Sequence, residues 1–447
     1  MLVNLRGELY RLGAYAIGSE WRKRLRLMTT TPPETMVREA LSSLLVHARR
    51  HVPYYRDLDL ADLRLDAFPI LTRQMIRTQL ERLCSDDLSN RKWTKGTTGG
   101  STGEPVWFIR DRDFMHWDKA ADLYLLSAFC DVSPSDFLRS RRVSVWHQRR
   151  RQASGPRLPR MVAQLLSQVI VIEPYEILSE DTLSSYVQRM NRHKPDIITA
   201  FAGTIYEIAK YAKRKRVPMY RPRVIVTSVE MLYPAMRETL EEVFRCPVRN
   251  TYGSAEVGRV ACTCREGNWH ILINHNQVEI LNSDDTPTAP GQMGRIVVTS
   301  LHTHAMPFIR YDIGDLARVS TQPCSCGSPL PTLDDICGRV IHHFVRADGD
   351  LVFGGNFVAM FYEHEWMMKF QVLQEDIDRI TISYQQLPGS EIPEGTIEAL
   401  TLTVQDVMGA KCRVIWKEVD VVANSPIGKH LHCRSLVWEQ QVQQGRV

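Results

Sequence analysis

The chain has 447 residues, 44% of them hydrophobic and 24% charged, with a formal net charge of +5. That composition excludes a mostly disordered chain or an extended coiled coil, and the length allows roughly two to four domains. So small an excess of positive charge argues against a dedicated nucleic-acid binder.

The N-terminal stretch is interrupted by Arg6, Glu8, Arg11 and Glu20, so it lacks the unbroken apolar core of a signal peptide. No apolar run approaches the roughly 18 residues of a membrane-spanning helix. Ten cysteines without a leader point to a reducing compartment, where they are thiols or metal ligands. A cytoplasmic protein, monomer or homodimer, is the expectation.

In chain order, Met36, Ala40, Leu44, Leu45 and Ala48 recur at helical spacing, and Pro53 closes that helix. Phe68-Pro69-Ile70-Leu71-Thr72 predicts a turn and cap before a second helix around 75–83. A glycine-rich stretch at 96–103 leads into a strand at Val106-Trp107-Phe108-Ile109, and 112–129 is an amphipathic helix. From about 140, short apolar strands at 143–146, 169–172, 197–200 and 224–227 alternate with helical patterns at 180–192, 203–216 and 233–245. That alternation predicts an α/β sheet with substantial parallel pairing. Residues 248–345 read as β-rich, with strands at 278–280 and 295–299. A last section mixes strands at 379–383, 400–404 and 413–416 with a helix near 357–370. The boundary falls at Gly338-Arg339, giving an N-terminal domain 1–337 and a small mobile α+β domain 338–447.

Two basic clusters stand out. Arg139, Arg141, Arg142, Arg149, Arg150, Arg151, Arg157 and Arg160 form one; Lys210, Lys213, Arg214, Lys215 and Arg216 form the other. An anionic partner, such as nucleic acid or a nucleotide-bearing substrate, is one reading; solvated surface is the favoured one, since no nucleic-acid module accompanies them.

Five short motifs bear chemistry. Thr98-Gly99-Gly100-Ser101-Thr102-Gly103-Glu104-Pro105 is a loop whose backbone N–H groups and hydroxyls suit phosphate, although no Gly-Lys-Ser/Thr follows as in a Walker loop. Tyr252-Gly253-Ser254-Ala255-Glu256 offers an aromatic face beside a glycine and a carboxylate able to hold Mg²⁺. Arg310-Tyr311-Asp312-Ile313-Gly314-Asp315 places a carboxylate after a glycine turn, where it can accept both hydroxyls of a ribose. Gly338-Arg339 and Gly428-Lys429 complete the series.

In this fixed order the five motifs resemble the adenylate-forming superfamily. Within it they are most similar to phenylacetate–coenzyme A ligases and related ligases of capsular-polysaccharide gene clusters. HARRHVPYYRDL, FPILTRQMI, TSLHTHAMPFIRYDIGD and KFQVLQED carry the same likeness. Gly99 replaces a serine of the family's phosphate loop, and Ala255 replaces a hydroxyl before Glu256. Val340-Ile341-His342-His343 follows Gly-Arg, where the family usually has a charged hinge residue.

The resemblance implies ATP-dependent adenylation of a small-molecule carboxylate with release of pyrophosphate, AMP being released on acyl transfer. Acyl transfer to coenzyme A would follow, or alternatively to an amine. A non-catalytic nucleotide-binding scaffold is the rival from another class. It further implies that Thr98, Gly99, Gly100, Ser101, Thr102 and Gly103 hold phosphates, and that Glu256 ligates Mg²⁺. Ser228, Glu230, Tyr252, Gly253 and Ser254 would surround adenine, with Asp315 on the ribose. Arg339 would lie near the ribose–phosphate and Lys429 over the α-phosphate. Ala200, Phe201, Ala202 and Gly203 would line the acyl pocket.

The cysteines give a separate signal. Cys262, Cys264, His270, Cys324 and Cys326 supply five soft donors for a tetrahedral zinc site, one more than it needs, and free buried thiols are the alternative. Some similar proteins carry Cys and His at the positions of Cys264, His270, Cys324 and Cys326, which implies structural zinc there. His302 and His304 read as ordinary loop histidines.

Overall fold

The computed structural model describes residues 5–17, 19–97, 106–146, 166–172, 180–337, 343–354, 357, 360–361, 364, 366–422 and 432–443. Its packing separates into two units. The first comprises Met1–Pro174, Glu180–Met231 and Leu240–Cys337; the second is Gly338–Val447 with Leu232–Thr239.

The first unit opens with helices α1 (Leu5–Ile17), α2 (Ser19–Thr30), α3 (Pro33–His51), α4 (Pro53–Arg56) and α5 (Arg73–Leu83). Met36, Leu44, Leu45 and Ala48 bury one face of α3, and Pro33 sits at its first turn, where a missing N–H costs nothing. Thr72 caps α5, its hydroxyl accepting from Met75 N at 3.3 Å. A hairpin of β1 (Trp93–Thr97) and β2 (Trp107–Asp111) leads to α6 (Arg112–Phe129) and α7 (Pro134–Arg139). Asp111 starts α6 by accepting from Phe114 N at 2.8 Å.

Alternation then begins: β3 (Arg142–Val145), β4 (Val169–Ile172), α8 (Glu180–His193), β5 (Ile197–Phe201), α9 (Ala202–Arg214), β6 (Val224–Ser228), α10 (Pro234–Phe244) and β7 (Val248–Ser254). Every residue of β6 is buried, as expected of a parallel strand covered on both faces. The chain continues as β8 (Gly258–Thr263), β9 (Trp269–Ile271), β10 (Asn276–Leu281), β11 (Met293–Ser300), β12 (Tyr311–Val319) and β13 (Thr332–Cys337).

Eleven described strands form one sheet in the order β10-β11-β12-β13-β9-β8-β7-β6-β5-β3-β4. β4, β3, β5, β6 and β7 run parallel, and the pairings from β7 through β8 to β10 are antiparallel. The β-rich stretch expected from 248 onward is therefore not a layer of its own. β7 belongs to both halves, and its backbone groups carry the antiparallel strands on the edge that the parallel strands leave open. Leu44, Tyr55, Ile76 and Leu83 from the early helices, with Phe68 from the segment before α5, join Phe308 and Tyr311 in the core of that half.

The second unit contains β14 (His343–Val345) and β15 (Leu351–Phe353), which pair with each other. Then come β16 (Met367–Asp376), β17 (Arg379–Gln386), α11 (Thr396–Met408), β18 (Arg413–Glu418), β19 (Cys433–Ser435) and α12 (Leu436–Gln443). Four of these strands form a sheet in the order β18-β17-β16-β19. Buried Gln374 pins it, donating to Val345 O at 2.7 Å and accepting from Val345 N at 3.0 Å and Ser435 Oγ at 2.6 Å.

Two sequence expectations fail here. Residues 400–404 lie in helix α11, not in a strand. Leu400 and Leu402 alternate with threonines, but the buried set is Leu400, Val404 and Met408, a spacing of four. Gly395 and Gly409, both at positive φ, bound the helix. From Met367 onward the helix expected near 357–370 is strand instead, held by pairing with β17. Among the described residues no helix is long and apolar enough to cross a membrane.

Candidate active site and metal centre

The C-terminal ends of the parallel strands define one edge of the sheet. Phe201 ends β5 opposite Ser228 at the end of β6, and Ser228 lies opposite Thr251 in β7. Such an edge is where open α/β sheets bind ligands. Trp146, just past β3, stacks on Phe201 with ring centroids 4.5 Å apart and planes 14° from parallel. Gly203 N, in the first turn of α9, donates to Glu230 Oε2 at 2.7 Å, so this carboxylate caps the positive end of the helix. Between Ser228 and Glu230, Val229 has φ +77°, an outlier for a β-branched residue, and backbone strain of this kind gathers at functional sites.

The Tyr252 and Asp315 motifs meet across the sheet. Tyr252 Oη donates to Asp315 Oδ2 at 2.6 Å. Ser254 Oγ accepts from Glu256 N at 3.2 Å and from Val257 N at 3.5 Å, turning the chain so that Glu256 points inward. A Cβ on Gly253 would collide with the backbone of Gly258 and Arg259, so only glycine lets β7 and β8 approach at this irregular pairing.

Buried Glu256 accepts from Tyr311 Oη at 3.0 Å. Arg73 Nε donates to the same Tyr311 oxygen at 3.3 Å, and Arg73 Nη2 to Ile313 O at 3.0 Å. Burial alone would lower the Arg73 pKa, but Tyr311, Glu256 and Asp315 around it raise it. Burial pushes the Tyr311 phenol up, so it stays a hydrogen-bond donor. Arg73 and Tyr311 thus tie Glu256 of one motif to the Tyr311–Asp315 motif.

Of the expected site residues, the structure brings together Tyr252, Glu256 and Asp315, and places Ser228, Glu230, Gly203 and Phe201 along one edge. Thr98 to Gly103, Arg339 and Lys429 lie outside the described residues, as does the stretch 149–160 of the first basic cluster. Arg73 was not anticipated as a site residue; its sequence signals are its place after the Thr72 cap and within FPILTRQMI. His302 is not an ordinary loop residue: it is buried, stacks on Trp117 at 3.8 Å, and burial holds its pKa well below the usual histidine value.

Gly258 fixes the start of β8. Its φ is +72°, and a Cβ there would overlap Asp118 Oδ1 and lie 3.0 Å from His275 Nε2. Replacing Gly258 with Ala should lower the unfolding free energy by about 2–4 kcal/mol in urea denaturation, combining positive-φ strain with overpacking. A loss below about 0.5 kcal/mol would show that this turn relaxes freely.

The second constellation is formed by four side chains that could bind a metal ion. Cys264 follows β8, His270 lies in β9, and Cys324 and Cys326 sit in the turn between β12 and β13. β9 pairs with both β8 and β13, which draws these segments together. Their ligand atoms all lie within 4.8 Å of one another. Cys264 Sγ is 3.6 Å from Cys324 Sγ, and Cys326 Sγ is 3.3 Å from His270 Nε2. His270 Nδ1 lies 3.1 Å from Leu330 O; donating there leaves Nε2 with a lone pair toward the thiols. Asn268 Nδ2 and Cys326 N donate to Cys324 Sγ at 3.2 and 3.5 Å, and Ser328 N to Cys326 Sγ at 3.5 Å. Burial would raise the Cys324 pKa, yet these donors bring it down to about 6, whereas burial pushes Cys264 up to about 11. Cys262 is not one of the four: it pairs with His270 in the β8–β9 register, but its thiol is fully buried beside Cys130, and that burial raises its pKa.

Comparison with known structures decides the fold. A 2-hydroxyisobutyryl-CoA ligase, solved in the postadenylation state with 2-HIB-AMP, superposes with a TM-score of 0.69 at 15% identity, covering 92% of each chain. The fold is that of the adenylate-forming enzymes. The anthranilate CoA ligase AuaEII, in complex with anthranoyl-AMP, shares this fold with a TM-score of 0.54 at 14% identity, over 78% of this chain and 66% of its own.

In sequence, the chain is 23% identical to Protein CapK of Staphylococcus aureus over 376 residues, 82% of this chain and 79% of that protein. It is 32% identical to the phenylacetate-coenzyme A ligase of Thermus thermophilus over 120 residues, 26% of this chain and 27% of that enzyme. No family model matches the chain.

Proposed function

We propose that this protein uses ATP to activate a carboxylic acid and then transfers the acyl group to a thiol or an amine. The observation that carries this is the Tyr252–Asp315 and Arg73–Tyr311–Glu256 constellation beside the carboxyl ends of the parallel strands. It joins an aromatic face, a ribose-accepting carboxylate, a buried acid and a fixed cation. The phenylacetate-coenzyme A ligases similar in sequence and the CoA ligases that share the fold support the same class of reaction.

In the first step a carboxylate oxygen attacks the α-phosphorus of ATP. The bond from that phosphorus to the bridging oxygen breaks, and pyrophosphate leaves with the electron pair. Both reactants are anions, so the protein's work is alignment and charge neutralisation. Asp315 holds the ribose, Tyr252 flanks the base, and Arg73 balances the buried carboxylates. The loop 98–103, by its motif, would contact the outer phosphates through backbone N–H groups and hydroxyls. Mg²⁺, held through Glu256, would neutralise phosphate charge. In the second step the acceptor's sulfur or nitrogen attacks the acyl carbon and AMP leaves; coenzyme A is the first acceptor to try, an amine the second.

Residues 338–447 form the proposed mobile C-terminal domain, bearing Arg339 and Lys429 as charges on the ribose–phosphate and α-phosphate. Replacing Lys429 with Ala should slow adenylate formation about a hundredfold or more, roughly 3 kcal/mol of transition-state stabilisation. Transfer from a chemically supplied acyl-adenylate should be largely spared. Equal loss in both half-reactions would remove Lys429 from the adenylation step. Mass spectrometry of the nucleotide product tests the reaction itself: AMP supports it, and ADP would contradict it.

We also propose structural zinc at Cys264, His270, Cys324 and Cys326, in a cytoplasmic protein. Zn–S bonds of about 2.3 Å and Zn–N bonds of about 2.0 Å in a tetrahedron separate two sulfurs by about 3.8 Å and sulfur from nitrogen by about 3.5 Å. The observed 3.6 and 3.3 Å lie close to those edges. Three thiols and one imidazole leave no open position for a substrate.

A further inference from the structure

Asp118 and Asp122 stand four residues apart on α6 and so share one face. Arg259, at the start of β8, meets both. Its backbone N donates to Asp118 Oδ1 at 3.3 Å, and its Nε to Asp122 Oδ1 at 2.6 Å. Its Nη1 reaches Ser228 Oγ at 3.1 Å and Thr251 Oγ1 at 3.4 Å, the two hydroxyls at the carboxyl ends of β6 and β7. Behind this pair His275 is fully buried, with Nε2 3.6 Å from Asp118 Oδ1 and, among the described residues, neither ring nitrogen hydrogen-bonded.

The Arg259 and Asp122 side chains nevertheless stay 31% and 45% exposed. A polar, solvent-open pair therefore occupies the ligand edge of the sheet, close in the β7–β8 pairing to Tyr252 and next to the Ser228 turn. An apolar acyl tail laid there would strip water from both ions and return nothing. A second carboxylate on the substrate could accept from Arg259 but would face Asp122. An ammonium could donate to Asp122 but would face Arg259. A hydroxyl both donates and accepts, and can satisfy the two at once.

Resting on the adenylation reading above, we propose that the acid activated here carries a hydroxyl group on its acyl part, received between Asp122 and Arg259. Sites that hydrogen-bond a substrate hydroxyl discriminate strongly against the analogue lacking it, because their own polar groups are then left unpaired.

The test uses the full chain and matched acids: alkanoic and arylalkanoic acids, each beside its hydroxylated, amino-substituted and dicarboxylic counterpart. Pyrophosphate release should show kcat/KM at least about tenfold higher for a hydroxylated acid than for its bare parent. Asp122→Asn, which keeps an acceptor for Arg259, should shrink that ratio to below about threefold while the thermal midpoint stays near wild type. Saturation-transfer NMR on the same acids reads binding without the reaction. Hydroxyl-selective binding lost in Asp122→Asn would uphold this inference even if no acid released pyrophosphate, in which case the adenylation reading alone would fail. Equal handling of bare and hydroxylated acids, or a preference for the amino or dicarboxylic members, would overturn the inference and leave adenylation standing. Absence of both turnover and binding overturns the two together.

Discussion

Replacing Glu256 with Gln is expected to cut adenylate formation at least about a hundredfold while the protein stays folded. The amide still accepts from Tyr311 Oη, which Glu256 now holds at 3.0 Å, so the local geometry has a substitute partner. What disappears is a buried negative charge. Without it the site cannot hold Mg²⁺ against the outer phosphates, and the positive charge of Arg73 loses one of its balancing carboxylates. Removing an electrostatic interaction that stabilises the transition state costs about 3 kcal/mol. The measurement is kcat/KM for pyrophosphate release, with circular dichroism as the check on folding. A Glu256→Gln variant within about fivefold of wild type would show that this carboxylate only anchors Tyr311.

The second large effect concerns the metal. Anaerobically purified protein should contain about one zinc per chain, and the Cys324→Ser/Cys326→Ser variant should contain none. Metal-ligand free energy in a closed site is folding free energy, because no preformed site exists in the unfolded chain. The variant should lose about 5–10 °C in thermal midpoint. Chelation of the wild type should lower the midpoint before it alters nucleotide chemistry, since the site ties the β8–β9 and β12–β13 turns and offers no open coordination position. Wild-type protein free of zinc by elemental analysis, with an unchanged midpoint after chelation, would exclude the site.

Much of the architecture was legible because local pattern and tertiary environment agree. The helix at 112–129 has caps, periodicity and a buried face that all point the same way, and the short apolar strands at 143, 197 and 224, alternating with helices, do pair in parallel. Where local and long-range demands conflict, the sequence misleads. Leu400, Leu402 and Val404 alternate like a strand, yet packing selects the helical spacing of Leu400, Val404 and Met408. The antiparallel strands after 248 look like a separate layer in composition, because edge pairing through β7 leaves no trace in any single segment.

The site divides the same way. Tyr252, Glu256 and Asp315 sit in motifs with a fixed spacing and could be named from them. Arg73 lies 238 residues from Tyr311, and Arg259 lies 137 from Asp122; no spacing rule connects such residues. The zinc donors fall between these cases. Five candidates were visible in sequence, and only the tertiary fold sets Cys264 beside Cys324 while Cys262 packs against Cys130.

The central claim is that this chain forms an acyl-adenylate, and ATP–pyrophosphate exchange measures that step alone, without an acceptor. With a panel of carboxylic acids, labelled pyrophosphate should enter ATP only when a suitable acid is present, and the exchange should fall at least about a hundredfold in Glu256→Gln. Exchange that ignores the acid, or no exchange across a broad panel despite demonstrable ATP binding, would contradict the account and favour a nucleotide-binding scaffold.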